Sequence, residues 1–343
     1  MKFDVVTGNP PYQEEIENTS AAQLYPLFMD LSQSVSDFAC LITPARFLMN
    51  AGKTSKEWNN KMLNNPHLRI LKYFQKASDV FSGQNFTGGV VITLNDKTTL
   101  VEPIKFFYPY EELPIIVKKV KNKNFVSIQE IFFPQTKWNL DKLYEKVPEA
   151  KSKIGSNGKE KRLTSSIFED LKEFPIFFKN ISSIDDPIII YGKGGSKMYV
   201  AKEYLDSDNN IQGYKAIISA ADGASGNIGE TSARITGKPF VGSNNSGYNQ
   251  TFIGFGNFST EKEAESLVKY LKTQFVRLLV GTRKATNGTK FEVWSNVPLQ
   301  DFTTKSDIDW TKSIPEIDQQ LYKKYGLDQS EIEFIESKVK EME

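Results

Sequence analysis

The sequence predicts an α/β protein in two parts, and three observations carry that prediction. A short apolar run at residues 3–7 ends in Gly8-Asn9-Pro10-Pro11-Tyr12, a second apolar run fills 38–43, and helical spacing links the two. Beyond residue 100, short apolar runs alternate with Gly-, Ser- and Asn-rich stretches before the chain closes in amphipathic helical patterns. At 343 residues the chain is long enough for two domains, expected at 1–100 and 101–343.

In chain order, residues 3–7 read as a buried strand, with Gly8 as a tight exit and two prolines fixing the backbone beyond it. Pro26 sits where a first helical turn tolerates it, and Leu24, Leu27, Phe28 and Leu31 recur at helical spacing. Strand, helix and strand together make one crossover of a parallel sheet. Residues 69–76 and 88–94 read as a further strand pair. Further along, Thr260 and Glu263 form a capping box, and Leu267, Val268, Leu271, Phe275, Leu278 and Leu279 continue one long amphipathic helix. Residues 314–343 read as two helices split at Gly326, the second capped by Asp328 and Glu331.

The chemistry sits at residues 9–12. An exocyclic amine on a nucleobase is a poor nucleophile, because its lone pair is delocalised into the ring. A carboxamide oxygen on Asn9 and the main-chain carbonyl of Pro10 can each accept one of its N–H groups. Fixed acceptors of this kind stabilise the positive charge that grows on nitrogen during alkylation and aim the lone pair. Pro11 restricts the residue before it and so holds that carbonyl still. Tyr12 supplies a flat face for an extruded base.

These residues resemble the catalytic motif of S-adenosylmethionine-dependent amino-methyltransferases, specifically adenine-N6 DNA methyltransferases of restriction–modification systems. Several later stretches are similar to family segments: Pro44-Ala45-Arg46-Phe47, the run from Phe81 to Gly88-Gly89-Val90, Tyr270 to Arg277, and Val297 to Phe302. The resemblance implies the second half of a Rossmann-like methyltransferase sheet, followed by a mixed α+β target-recognition domain that binds double-stranded DNA. Asn9, Pro10, Pro11 and Tyr12 are then the catalytic residues. Phe86 either braces the flipped base on its other face or is a plain core phenylalanine. A protein-glutamine methyltransferase uses the same four residues, but is expected to carry a helical bundle before them and no large C-terminal region.

The family places its cofactor half first, and here the motif strand begins at residue 3. The S-adenosylmethionine site is therefore expected to lie mostly outside this chain, through truncation, a mis-called start or a separate chain supplying that half. Phe252-Ile-Gly-Phe-Gly256 superficially fits a cofactor loop, but the apolar run after it leads to Gly281-Thr-Arg-Lys284 with no carboxylate for a ribose. Gly192 to Lys197 lacks P-loop spacing and reads as a turn.

Net charge is only +1, but its distribution is uneven. Residues 118–162 hold twelve Lys or Arg against five Asp or Glu, whereas 307–343 hold five against ten. Such asymmetry suits one face meeting phosphates, and equally suits a solvated lysine-rich surface. Lys272, Arg277, Arg283 and Lys284 are the expected backbone contacts, and the Gly/Ser/Asn-rich block at 220–247 reads as loop that can meet base edges. One cysteine, Cys40, cannot form an internal disulfide, and one histidine, His67, reads as a surface residue; together they cannot build a zinc site. Glu336 and Lys338 fall in a helical pattern and form no nuclease site, although a cognate restriction endonuclease is an expected partner. No run approaches membrane-spanning length and no secretory signal is visible, so a cytoplasmic protein is the expectation.

Overall fold

The structure, a computed structural model, describes residues 2–13, 22–49, 53–83, 88–155, 158, 160–181, 184–207, 210–284 and 287–343. The chain divides into two compact units, Met1–Pro114 and Ile115–Glu343.

The first unit is a four-stranded sheet with helices. Strand β1 (Phe3–Gly8) leads through helix α1 (Tyr25–Val35) to β2 (Ser36–Pro44); α2 (Lys56–Leu63), β3 (Leu68–Phe74) and β4 (Val90–Asp96) follow. The strand order is β1-β2-β4-β3. β1 and β2 are parallel, with Val5 opposite Phe38 and Gly8 opposite Leu41, whereas β4 runs antiparallel to both β2 and β3. The crossover read from the sequence is therefore present. The core beneath it joins Tyr25, Met29, Leu41, Phe47, Met62 and Val91.

Two expectations in this unit are corrected. β1 is an edge strand: among the described residues it pairs only with β2, and Phe3 and Val5 remain 46% and 58% exposed. Parallel strands usually have both faces covered, so a run of this composition reads as buried. Nor does the apolar stripe of α1 face inward. Tyr25, Met29 and Ser32 point to the core, while Leu27, Phe28 and Leu31 stay exposed, Leu27 at 66%. Helical spacing finds a stripe, but it does not say which of two apolar faces meets the sheet.

The second unit begins within α3 (Glu112–Lys121) and continues through β5 (Phe132–Phe133), α4 (Leu140–Lys146), α5 (Ile167–Asp170), β6 (Pro187–Tyr191), β7 (Lys197–Ala201) and β8 (Tyr214–Ser219). Then come β9 (Phe240–Gly242), β10 (Ser246–Tyr248), β11 (Phe252–Phe258), α6 (Glu261–Lys272), α7 (Gln274–Gly281), α8 (Ile314–Tyr325) and α9 (Gln329–Lys338). Two sheets result, one ordered β10-β6-β7 and one β5-β11-β8-β9. The first covers a core containing Trp138, Leu163, Ile188 and Val200. Helix α6 packs across β8, β9 and β11.

The long helix expected after Thr260 starts at its capping box but breaks at Thr273. Thr273 is extended (φ −60°, ψ 149°), and its hydroxyl accepts from the Val276 N–H, so it caps α7. The break is completed from elsewhere in the chain. Both oxygens of the buried Asp318, on α8, accept from the Gln274 and Phe275 amides at 2.9 Å. The split at Gly326 and the Asp328–Glu331 capping box are as the sequence indicates.

Lys215, on β8, is fully buried; its Nζ donates to the Ile211 and Ser246 carbonyls at 3.1 and 2.7 Å. Burial pushes its pKa from 10.5 down to about 7. Between those values the unfolded chain holds a proton that the folded protein has released, so this group makes stability rise with pH from about 7 to 10.5. Its share of the slope is at most about 1.4 kcal/mol per pH unit. Lys215→Met therefore flattens the pH dependence of urea midpoints between pH 7 and 10. An unchanged slope in the variant contradicts the assignment.

Candidate active site at the C-terminal end of the parallel strands

The parallel pairing of β1 and β2 brings their C-terminal ends to one edge, where ligands sit in open α/β sheets. β2 runs on to Pro44, which pairs with Val90, and Val90 also faces Phe74 at the end of β3. The Asn9–Tyr12 loop, the turn starting at Ala45 and the segment entering β4 thus leave the sheet on the same side. The Ala45 N–H donates to the Gly89 carbonyl at 3.0 Å and ties two of these segments together.

Gly88 and Gly89 both take positive φ (99° and 74°). A Cβ on Gly88 would lie 2.5 Å from the Arg46 Cγ, and one on Gly89 would collide with the Phe74 carbonyl. The Gly-Gly pair before β4 is thus required by close approach as well as by backbone geometry.

Asn9 and Pro11 are exposed, and Pro10 and Tyr12 are half-buried. A Cβ at Gly8 would meet nothing within 4 Å, so the space beside the motif is open rather than packed. The tight exit expected at Gly8 does not use glycine's conformational freedom, since its φ is ordinary. The Tyr12 carbonyl accepts from the Leu24 N–H at 3.1 Å, and Gln13 bridges Gln23, so the neck of the loop is closed onto the start of α1. The ring of Tyr12 stands edge-on to Phe81, with centroids 6.3 Å apart and planes at 70°. Burial pushes the Tyr12 phenol up to about 12, which keeps it neutral across the physiological range. Phe86 lies outside the described residues. The contact of Tyr12 with Phe81 had no signal in the sequence beyond two aromatics in motif-like segments.

The expected backbone contacts fare unequally. Arg277 is fully buried; its Nε donates to the Lys272 and Thr273 carbonyls, and its Nη1 to those of Arg234 and Lys340. Lys284 is buried as well, donating to the Gly226 and Ile235 carbonyls at 2.7 and 2.6 Å and to the Ser225 hydroxyl at 3.1 Å. Both are structural cations and cannot meet phosphates without unfolding their surroundings. Lys272 and Arg283 are half-buried. Within 118–162, Lys118, Lys119 and Lys121 fall in the last turn of α3, and Lys119 pairs with Asp328 and Glu331 at 3.2 and 2.6 Å. His67 is half-buried rather than a surface residue, its Nδ1 3.1 Å from the Asp96 and Thr99 carbonyls.

The stretch Phe252–Gly256 lies inside β11, not in a loop between strand and helix. Side chains occupy the space over its glycines, Tyr248 over Gly254 and Phe258 over Gly256. It does not fit a nucleotide cofactor. Gly192 to Ser196 is the turn between β6 and β7, and Lys197 opens β7. Among the described residues no group of three or more His, Cys, Asp or Glu gathers to hold a metal ion, and no helix is long and apolar enough to cross a membrane.

Comparison with known proteins bears on the first unit. Residues 1–81 match the Eco57I restriction-modification methylase family. An uncharacterized adenine-specific methylase of Mycoplasma pneumoniae is 28% identical over 97 residues, covering 26% of this chain and 22% of that protein. Among solved structures, the type IIG restriction endonuclease BpuSI aligns over 92% of this chain and 48% of its own, at 10% identity and a TM-score of 0.38. The chain thus spans about a fifth of the curated methylase and about half of the solved enzyme. The Asn9-Pro10-Pro11-Tyr12 motif, from which the resemblance to adenine methyltransferases of restriction–modification systems was drawn, lies within residues 1–81.

Proposed function

We propose that this chain is the catalytic-loop and target-recognition part of a DNA adenine-N6 methyltransferase. The observation that carries this reading is the accessible Asn9-Pro10-Pro11-Tyr12 loop at the C-terminal end of a parallel strand, within the segment that matches restriction-modification methylases. Asn9 Oδ1 and the Pro10 carbonyl accept the two N–H groups of the adenine amine, and Tyr12 stacks on the extruded base. Neither acceptor titrates near neutral pH, so amine orientation needs no tuned general base. The second unit selects the DNA sequence.

S-adenosylmethionine supplies the methyl group. The one stretch resembling its loop does not fit it, so the reading assigns cofactor binding to polypeptide beyond these residues, linked or separate. The edge of β1, unpaired on its outer side among the described residues and carrying the exposed Phe3 and Val5, favours association there, because unpaired strand edges template pairing with another chain. The same surface suits a second reading, a non-catalytic specificity subunit that binds DNA and joins a separate methylase. A cognate nuclease is compatible with either, and so is a cytoplasmic setting.

Two measurements on this polypeptide test the proposal. Incubated with labelled S-adenosylmethionine and adenine-containing duplex, the chain alone transfers no methyl group; robust turnover refutes the assignment of the cofactor site. In a salt-titrated gel shift, duplex affinity falls linearly in log–log form as phosphate contacts release counterions. No salt-sensitive binding removes the DNA reading.

A further inference from the structure

Within the reading just proposed, we infer that Phe81 is the positioning residue for Tyr12, bracing the tyrosine ring that meets the base. Tyr12 lies in no helix or strand, so backbone hydrogen bonding fixes its Cα but not its side chain. Its main chain is pinned through the Leu24 N–H, which leaves χ1 and χ2 to be set by whatever the ring touches. The edge-on Phe81 ring is such a contact, at a separation and tilt typical of aromatic pairs. The Tyr12 hydroxyl oxygen is buried while the residue as a whole stays half-exposed, so the ring points into the protein rather than into solvent.

The main chain of Phe81 is anchored and its ring is half-buried. It lies just past a single 3-10 turn, Ala77–Asp79, that begins three residues after the end of β3. The Phe81 and Val80 N–H groups both donate to the Ala77 carbonyl, at 2.8 and 3.1 Å, and Ala77 is buried. The brace therefore runs from the sheet through this turn to the motif loop. A ring held before the base arrives loses less freedom on stacking than one that must be ordered at that moment. Phe81 thus acts through Tyr12 and touches no reacting atom.

The test uses the chain with a duplex carrying 2-aminopurine opposite an abasic position, where extrusion is cheap and needs no cognate sequence. Fluorescence reports stacking of the probe, and N-acetylimidazole labelling followed by peptide mass spectrometry reports accessibility of Tyr12. In Phe81→Ala, Tyr12 acetylates faster and stacking of the probe weakens about 3- to 10-fold. Phe81→Tyr restores both, and overall duplex affinity and its salt slope stay put. Should Phe81→Ala fail to fold, Phe81→Leu, which fills most of the volume without a ring, gives the same pair of changes. Unchanged acetylation and unchanged stacking in the folded variants overturn the inference. If Phe81→Ala exposes Tyr12 while Tyr12→Ala leaves the probe signal untouched, the brace stands and base stacking by Tyr12 falls instead.

Discussion

Asn9→Ala, tested in an assembly of this chain with a cofactor-bearing half, lowers kcat for methyl transfer by about 10²–10³-fold, the usual cost of deleting one preorganised hydrogen-bonding group at a reacting centre. The side chain is exposed at the end of β1 and its removal leaves no cavity, so stability is unchanged. DNA affinity is nearly unchanged too, because phosphate contacts dominate it. The loss therefore appears in kcat rather than in KM for the duplex, as expected for an interaction that strengthens with charge on the amine. Asn9→Asp is informative in the same assay, since it keeps an acceptor of the same size and adds charge. A variant Asn9→Ala enzyme with retained turnover removes Asn9 from the mechanism and, with it, the carrying observation of the proposed function.

Arg277→Ala destabilises the second unit by about 3–5 kcal/mol, seen as a lower urea midpoint at constant slope. Four main-chain carbonyls share the guanidinium, so truncation strips donors from each of them and leaves a void where a long side chain was packed. Burial already lowers the Arg277 pKa to about 10, which still leaves it protonated at neutral pH. The two roles considered for this residue separate cleanly. A phosphate contact would lose DNA affinity and about one unit of salt slope with the fold intact. A structural cation loses stability first. Unaltered stability together with weakened DNA binding contradicts the buried assignment.

Much of the first unit was legible because its signals are local. The motif needs only adjacent residues, and the β1–α1–β2 crossover follows from two apolar runs with helical spacing between them. The capping boxes at Thr260 and Asp328 are likewise contacts across three residues. The illegible parts share one property. The break at Thr273 depends on Asp318, more than forty positions away; the fate of Arg277 depends on the carbonyls of Arg234 and Lys340; and Lys284 is claimed by Gly226 and Ile235. From the sequence each basic residue is a charge on or after a helix, and solvent is its default environment.

By itself, the sequence determined the chemistry on offer: two fixed acceptors and an aromatic face directly after a strand, in a chain of α/β pattern. Only the tertiary structure decided which apolar face of α1 meets the sheet, that β1 pairs with β2 alone among the described residues, which cations are spent on carbonyls, and that Phe81 reaches Tyr12. The division is physical. Hydrogen bonds within a turn are written in neighbouring residues, whereas burial of a charge or a ring is fixed by groups that the chain brings together from far apart.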